Sequence, residues 1–258
     1  MKRERRIHKC SFETFLRFQE KLWNRILEYY YRLCRYFIVR RLKRDSIQAR
    51  TSTEFLEDLV RILNIPDEVK VNEAERDYII TEANRTLSGV YNLLGSGDVH
   101  LSPVDWHADF KTEFRWPPGT FYKKYEQVDL GNNADVKVPR ELSRGHHLLR
   151  LGLAYRLTAN PEYANLCISE IDRWIDENPL MYSINWGCAM DVAIRAVNWM
   201  WAIGFIASYD GLEERILNKM NRSLYEHGWF IWRNQEKNLR YSGNHYLSDL
   251  VGLIHLGL

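Results

Sequence analysis

An all-α fold of paired helices, arranged as a helical array or toroid, is predicted by three features of the 258-residue sequence. Apolar residues recur at three- and four-residue spacing, alternating β-branched runs are nearly absent, and the candidate helices of the second half are joined by short turns. No exact internal repeat accompanies them. A hydrophobic content of 45% over this length is enough for a real core in one large domain or two small ones.

The first helix is expected over residues 11–42, with Ser11 and Thr14 as cap candidates and Phe12, Leu16, Trp23, Leu27, Tyr30 and Phe37 on its apolar stripe. Its other face is basic. Residues 1–44 hold 14 Lys/Arg against 4 Asp/Glu, so a head of about +10 is joined to a body of about −8 inside a net charge of +2. Such a face suits a membrane surface or a nucleic acid. Glu13, Glu20 and Glu28 interrupt the positive field, which favours a solvated packing helix, leaves membrane-surface contact open and gives no nucleic-acid partner.

Two further helices are expected at 52–64 and 72–94, with Pro66 stopping one and Asn72 capping the next. Residues 1–95 are therefore an N-terminal helical segment and 96–258 the main helical portion, the two forming one continuous domain. Between Gly95 and Pro139 the texture changes to Gly, Pro, Asp, Asn and Trp, a long irregular aromatic-rich loop of the kind that is pinned to the body and lines a site. Helices return at 140–158, 161–177, 187–208, 211–233 and 245–258.

Composition narrows the function classes. The four cysteines, Cys10, Cys34, Cys167 and Cys188, form no CxxC and no Cys/His cluster at metal-ligand spacing, so neither a disulfide framework nor a metal or other cofactor is expected. No stretch approaches the ~20 apolar residues that span a bilayer. The basic N-terminus lacks the apolar core and small-residue cleavage site of a secretory leader. Nine Trp and fifteen Tyr suit stacking on sugars or bases as well as packing.

Three stretches carry polar residues that packing does not require. In "DVKVPRELSRGHHLLRLGLAY" (135–155), Glu141 and Arg144 are three apart on a first helical turn, with Lys137 just upstream; a local salt bridge explains them equally well. In "INWGCAMDVAIRAVNW" (184–199), Asn185 and Trp186 precede a helix on which Asp191 and Arg195 are four apart, a spacing that permits a desolvated ion pair. In "SGNHYLSDLVGL" (242–253), Asn244 and His245 follow a Gly243-enabled turn, where free N–H groups and the helix dipole favour an anion. A glycoside hydrolase would need two carboxylates about 5–9.5 Å apart across one cleft. Glu141, Asp191 and Asp249 are the acids near these motifs, and their contexts suggest ion pairs.

Taken together with "DWHADF", "PEYA" and "WIDENP", these stretches resemble, in order, the N-terminal helical domain of the heparinase II/III-like polysaccharide lyases, a group that includes alginate lyases. The resemblance runs from about residue 100 to the end. It implies an incomplete (α/α) toroid followed by a β-sandwich domain, an acidic uronate-containing polysaccharide as partner, and β-elimination as the chemistry. In that scheme Asn244 neutralises the uronate carboxylate and His245 assists it or acts as base. Asn185 and Trp186 resemble substrate-subsite residues, and Lys137, Glu141, Arg144 and Arg195 resemble ionic positions that either touch sugar or hold the toroid together. Two departures are the Pro139–Arg140 pair where an aromatic is common and Asp191 where Glu is usual. None of the tyrosines matches the family's catalytic position, and the sandwich is missing. The expectation is therefore an incomplete or inactive lyase, or a non-catalytic carbohydrate-binding or surface-polysaccharide assembly protein. The compartment stays open between periplasmic, by resemblance, and cytoplasmic, by the missing leader.

Overall fold

The computed structural model describes residues 26, 28–30, 52–66, 68–126, 131–237 and 243–257. The chain forms two compact units, Met1–Ala49 and Arg50–Leu258. In the first, residues 26 and 28–30 are helical; the rest of the basic helix expected at 11–42, with its candidate membrane-facing surface, lies outside the described residues.

The second unit is mostly helical. Its described helices are α1 (Ser52–Ile62), α2 (Glu73–Leu87), α3 (Lys137–Ser143), α4 (His146–Thr158), α5 (Pro161–Glu177), α6 (Ala189–Phe205), α7 (Glu214–Arg233) and α8 (Asn244–Gly257). Local chemistry explains their starts. The Asn72 side chain accepts the N–H of Glu75 at 2.9 Å, and the Glu75 carboxylate accepts the N–H of Asn72 at 3.0 Å, a complete capping box for α2. Asn160 caps α5 through the N–H of Glu162, with Pro161 in the first turn, where a missing N–H costs nothing.

Two helix boundaries differ from expectation. The helix expected over 72–94 ends at Leu87, and Val90–Asn92 (β1) pairs antiparallel with Asp98–His100 (β2). The extended backbone lets the Tyr91 hydroxyl donate to Glu170 Oε1 at 2.7 Å, while Glu170 Oε2 meets His147 Nε2 at 2.5 Å. This buried set ties β1 to α4 and α5. The helix expected over 140–158 is interrupted at Arg144–Gly145, which separates α3 from α4 and frees Arg144 to reach another helix.

The 95–139 stretch is irregular but anchored. It holds β2, a short ladder of β3 (Ala108–Asp109) and β4 (Phe114–Arg115), and a 3-10 turn at Tyr122–Lys124. Asp109 accepts the N–H of Lys111 at 2.8 Å and the N–H of Asp135 at 2.9 Å, fastening the loop to the start of α3. Trp116, Tyr125 and Val136 pack with Ile184 in a buried cluster, and the Tyr122 N–H donates to the carbonyl of Met181 at 2.9 Å.

α6 is central, packing on α4, α7 and α8, while α4 also contacts α2 and α5. Ala193, Ala196 and Ala202 are buried along α6 and let its neighbours approach closely. The core is built around an arginine. Arg195 is fully buried, with its guanidinium 4.0 Å from the Trp174 ring centre and 5.3 Å from that of Trp186. Its Nε–H donates to His227 Nε2 at 2.9 Å, and Nη1 donates to Ser143 Oγ at 3.2 Å and the Asn185 carbonyl at 3.3 Å. Five segments are thereby cross-linked: α3, α5, the 3-10 turn Ile184–Trp186, α6 and α7. Stacking on two indoles offsets part of the desolvation of a charge held without a carboxylate in contact.

The expected Asp191–Arg195 ion pair does not form. Asp191 Oδ1 instead accepts from Arg144 Nε and Nη2, each at 2.7 Å. Four-residue spacing places two side chains on one helix face but leaves each free to choose a partner on a neighbouring helix. Arg195 is drawn into the indole cage, and Asp191, in the first turn of α6, meets the cation released at the α3–α4 break.

Candidate functional site

A cleft of about 350 Å³ opens where the start of α6, the end of α7 and the first turn of α8 converge with the anchored loop. Its walls include Tyr122, Arg140, Trp186, Cys188, Asn234, Glu236 and His245. Of the residues singled out in the sequence, Trp186 and His245 line it. Asn244, exposed, is the residue before His245 and the first of α8, as its motif predicted.

Glu236, in the connection between α7 and α8, holds the cleft together. Its Oε2 meets His245 Nδ1 at 2.5 Å, and its Oε1 accepts from the Cys188 thiol at 3.1 Å and the Met190 N–H at 3.3 Å. Its own N–H donates to Asp249 Oδ2 at 2.7 Å. α6 needs this carboxylate. Its N-cap residue, Cys188, makes no side-chain cap bond, so Glu236 arrives from outside to satisfy a first-turn N–H and place negative charge at the positive end of the helix.

The electrostatics follow from these contacts. Burial pushes the Glu236 carboxyl up, but hydrogen bonds from His245, Cys188 and Met190 outweigh it and hold the group below its ordinary value, so Glu236 is an anion at neutral pH. With Nδ1 engaged by that anion, His245 keeps Nε2 for other contacts. Burial, together with the Glu236 charge, pushes Asp249 up to about 6 against the opposing backbone hydrogen bond. Burial, reinforced by the charges of Asp191 and Glu236, pushes the Cys188 thiol up and keeps it protonated.

Arg140, which also lines the cleft, is nearly buried, its Nε 4.0 Å from Asp191 Oδ2. Its guanidinium lies against Gly187, where an added Cβ would stand 2.0 Å from Nη2, so glycine is required for this approach. Glu141 Oε2 pairs with Arg144 Nη1 at 2.6 Å. Arg140, Arg144, Asp191 and Glu141 thus form a quartet of balanced formal charge beside the cleft.

The remaining expected site residues are dispersed. Asn185 is fully buried; its amide nitrogen donates to the Trp106 carbonyl at 2.7 Å and to Asn178 Oδ1 at 2.9 Å. Trp186 is 1% exposed and packed by Trp174, His227 and Phe230, so it forms the floor of the cleft. Arg195 lies beneath it in the core, whereas Lys137 is exposed at the start of α3. Sequence reasoning missed Glu236 and Tyr122, and it noted Arg140 only as a departure from the family pattern. It also expected an ion pair for Asp249, which instead accepts a backbone N–H. The available signal for Glu236 was its place nine residues before His245 in a polar stretch otherwise rich in Asn, Lys and Arg.

The architecture has a counterpart among solved structures. A crystal structure of a mutant of the heparan sulfate lyase HepC from Pedobacter heparinus superposes with a TM-score of 0.54 over 74% of this chain, at 16% sequence identity. The fold is part of a heparinase-type helical domain. The match covers 26% of the HepC chain, so the present chain corresponds to about a quarter of that enzyme. No protein-family model and no curated protein matches the chain. No described helix is long and apolar enough to cross a membrane.

Proposed function

We propose that this chain is a polysaccharide lyase-like protein that takes a uronic-acid-containing polysaccharide into the cleft between α6, α7 and α8. The observation that carries the proposal is the Glu236–His245 pair at the first turn of α8, lining one cleft with Arg140 on a heparinase-type helical fold. β-Elimination removes the weakly acidic C5 proton beside a carboxylate and expels the 4-oxygen. Negative charge develops on that carboxylate, so the reaction needs neutral or positive donors around it and a base of suitable strength. Asn244 supplies an uncharged amide donor. His245, oriented through Nδ1 by Glu236, presents Nε2 as the base or as a donor to the carboxylate. Arg140 adds a cation to the same cleft, and Lys137 and Arg144 are the candidate outer contacts to the polysaccharide.

Non-catalytic carbohydrate binding is the second reading. It is favoured by Tyr122, the tyrosine of the cleft lining, whose hydroxyl donates to Asn234 Oδ1 at 2.7 Å and is not free to protonate a leaving oxygen. One experiment separates the two. Acidic polysaccharides are screened for the ultraviolet absorbance of unsaturated uronate and, in parallel, for binding. Unsaturated product lost in Asn244→Ala and His245→Ala supports the lyase; saturable binding without product supports the binding protein; neither signal with any uronate polysaccharide overturns both.

A further inference from the structure

We propose that Cys188, Glu236 and His245 form a three-ligand site for a thiophilic divalent cation of the zinc type. The Cys188 sulfur, a Glu236 carboxylate oxygen and a His245 ring nitrogen lie within 4.8 Å of one another. Two ligands bound to zinc at ~2.0–2.3 Å on a tetrahedron stand roughly 3.3–3.8 Å apart. The Cys188 Sγ–Glu236 Oε1 separation of 3.1 Å is close to that value, while His245 Nδ1 and Glu236 Oε2, at 2.5 Å in direct hydrogen bond, must separate by about 1 Å to admit the ion. Three chain segments converge to make the set: the start of α6, the α7–α8 connection and the first turn of α8.

Helix capping alone is a weak reason for a thiol. Cys188 holds the N-cap of α6, where Ser, Thr, Asp or Asn is preferred; its sulfur has a backbone interaction with Asp191, while Glu236 accepts the Met190 N–H. A soft sulfur donor beside an imidazole and a carboxylate is, in contrast, a set suited to zinc or cobalt. The outer contacts fit as well. The Met190 N–H holds Glu236 Oε1, as an outer hydrogen bond orients a metal carboxylate, and Asp249 Oδ2 fixes the Glu236 backbone through its N–H at 2.7 Å. On binding, the Cys188 thiol releases one proton to solvent and His245 carries its proton on Nε2, leaving Nδ1 for the ion. A thiolate and a carboxylate then neutralise the divalent charge, beside a quartet that is already balanced.

Cobalt(II) titration tests this on the full chain carrying Cys10→Ser and Cys34→Ser, so that neither of those thiols supplies sulfur. One equivalent is expected to produce a sulfur-to-cobalt charge-transfer band in the near ultraviolet and tetrahedral d–d bands, both bleached when zinc displaces cobalt. Cys188→Ser removes the charge-transfer band, and Glu236→Gln and His245→Gln each weaken binding about tenfold or more. Cys167→Ala changes neither signal. The absence of a saturable one-equivalent band in the folded parent, or a charge-transfer band that survives Cys188→Ser, overturns the proposal. The parent titration decides even if a variant folds poorly. Because no polysaccharide is present, this result is independent of the carbohydrate reading.

Discussion

Glu236 shows how one side chain can serve both the fold and the cleft. It satisfies the start of α6 and orients His245, two tasks with separate observables. Glu236→Gln retains the size but loses the charge and one acceptor oxygen. It is expected to cost about 1–2 kcal/mol in urea unfolding, the range for a partly buried hydrogen bond left incompletely made. The same variant releases His245 from its anionic partner. The residue-level record of the sequence divides along the range of the interaction. The Asn72 cap was legible because it and the N–H it accepts lie within one turn. Glu236 was not, because its partners Cys188 and His245 stand 48 and 9 residues away. Arg195 was misassigned because i, i+4 spacing states what can meet and is silent about the indoles and imidazole that compete for the guanidinium.

At the scale of elements, α8 must approach α6 closely to bring His245 to Glu236, and Gly252 permits it. A Cβ there would stand 2.7 Å from Ala193 Cβ and 3.0 Å from Ala193 Cα, a backbone atom that has no flexible side chain to give way. Gly252→Ala is therefore expected to displace α8, lowering stability by about 1–3 kcal/mol. It should also weaken uronate-polysaccharide binding beyond the loss of folded protein, which unfolding and binding titrations on one sample distinguish. Helix α5 was predicted with its observed ends because Asn160–Pro161 marks a start and the amphipathic pattern runs unbroken to Glu177. β1 was concealed inside a helical prediction because Val90 and Tyr91 continue the apolar spacing of α2 while tertiary contact with Glu170 selects the extended backbone.

For the whole molecule, buried titratable groups make stability depend on pH in opposing senses. Burial, reinforced by the Arg195 charge, holds His227 well below the ordinary imidazole value. The unfolded chain therefore binds the extra proton first, and the stability held above about pH 6.5 falls as pH drops below that value. Asp249 acts oppositely. With its folded value raised to about 6 from 3.8, the folded state binds its proton first, and the contribution grows as pH falls from about 6 toward 4. Urea midpoints across this range should show the wild type gaining relative to Asp249→Asn as pH falls, while its own absolute stability declines through His227. The toroid-like architecture was legible from helical periodicity and short connections, because these reflect the whole chain and not one contact. The function depends on a cleft where segments from residues 122 to 245 meet, a convergence that no local pattern encodes.

The most direct test of the central claim is a calorimetric comparison of a uronate oligosaccharide with its carboxyl-reduced counterpart, using the wild type and an Asn244→Ala, His245→Ala double variant. Saturable binding that prefers the uronate, and that the double variant loses by about tenfold or more, is the predicted result. Equal affinity for the charged and neutral sugars, or wild-type affinity in a folded double variant, would contradict the account.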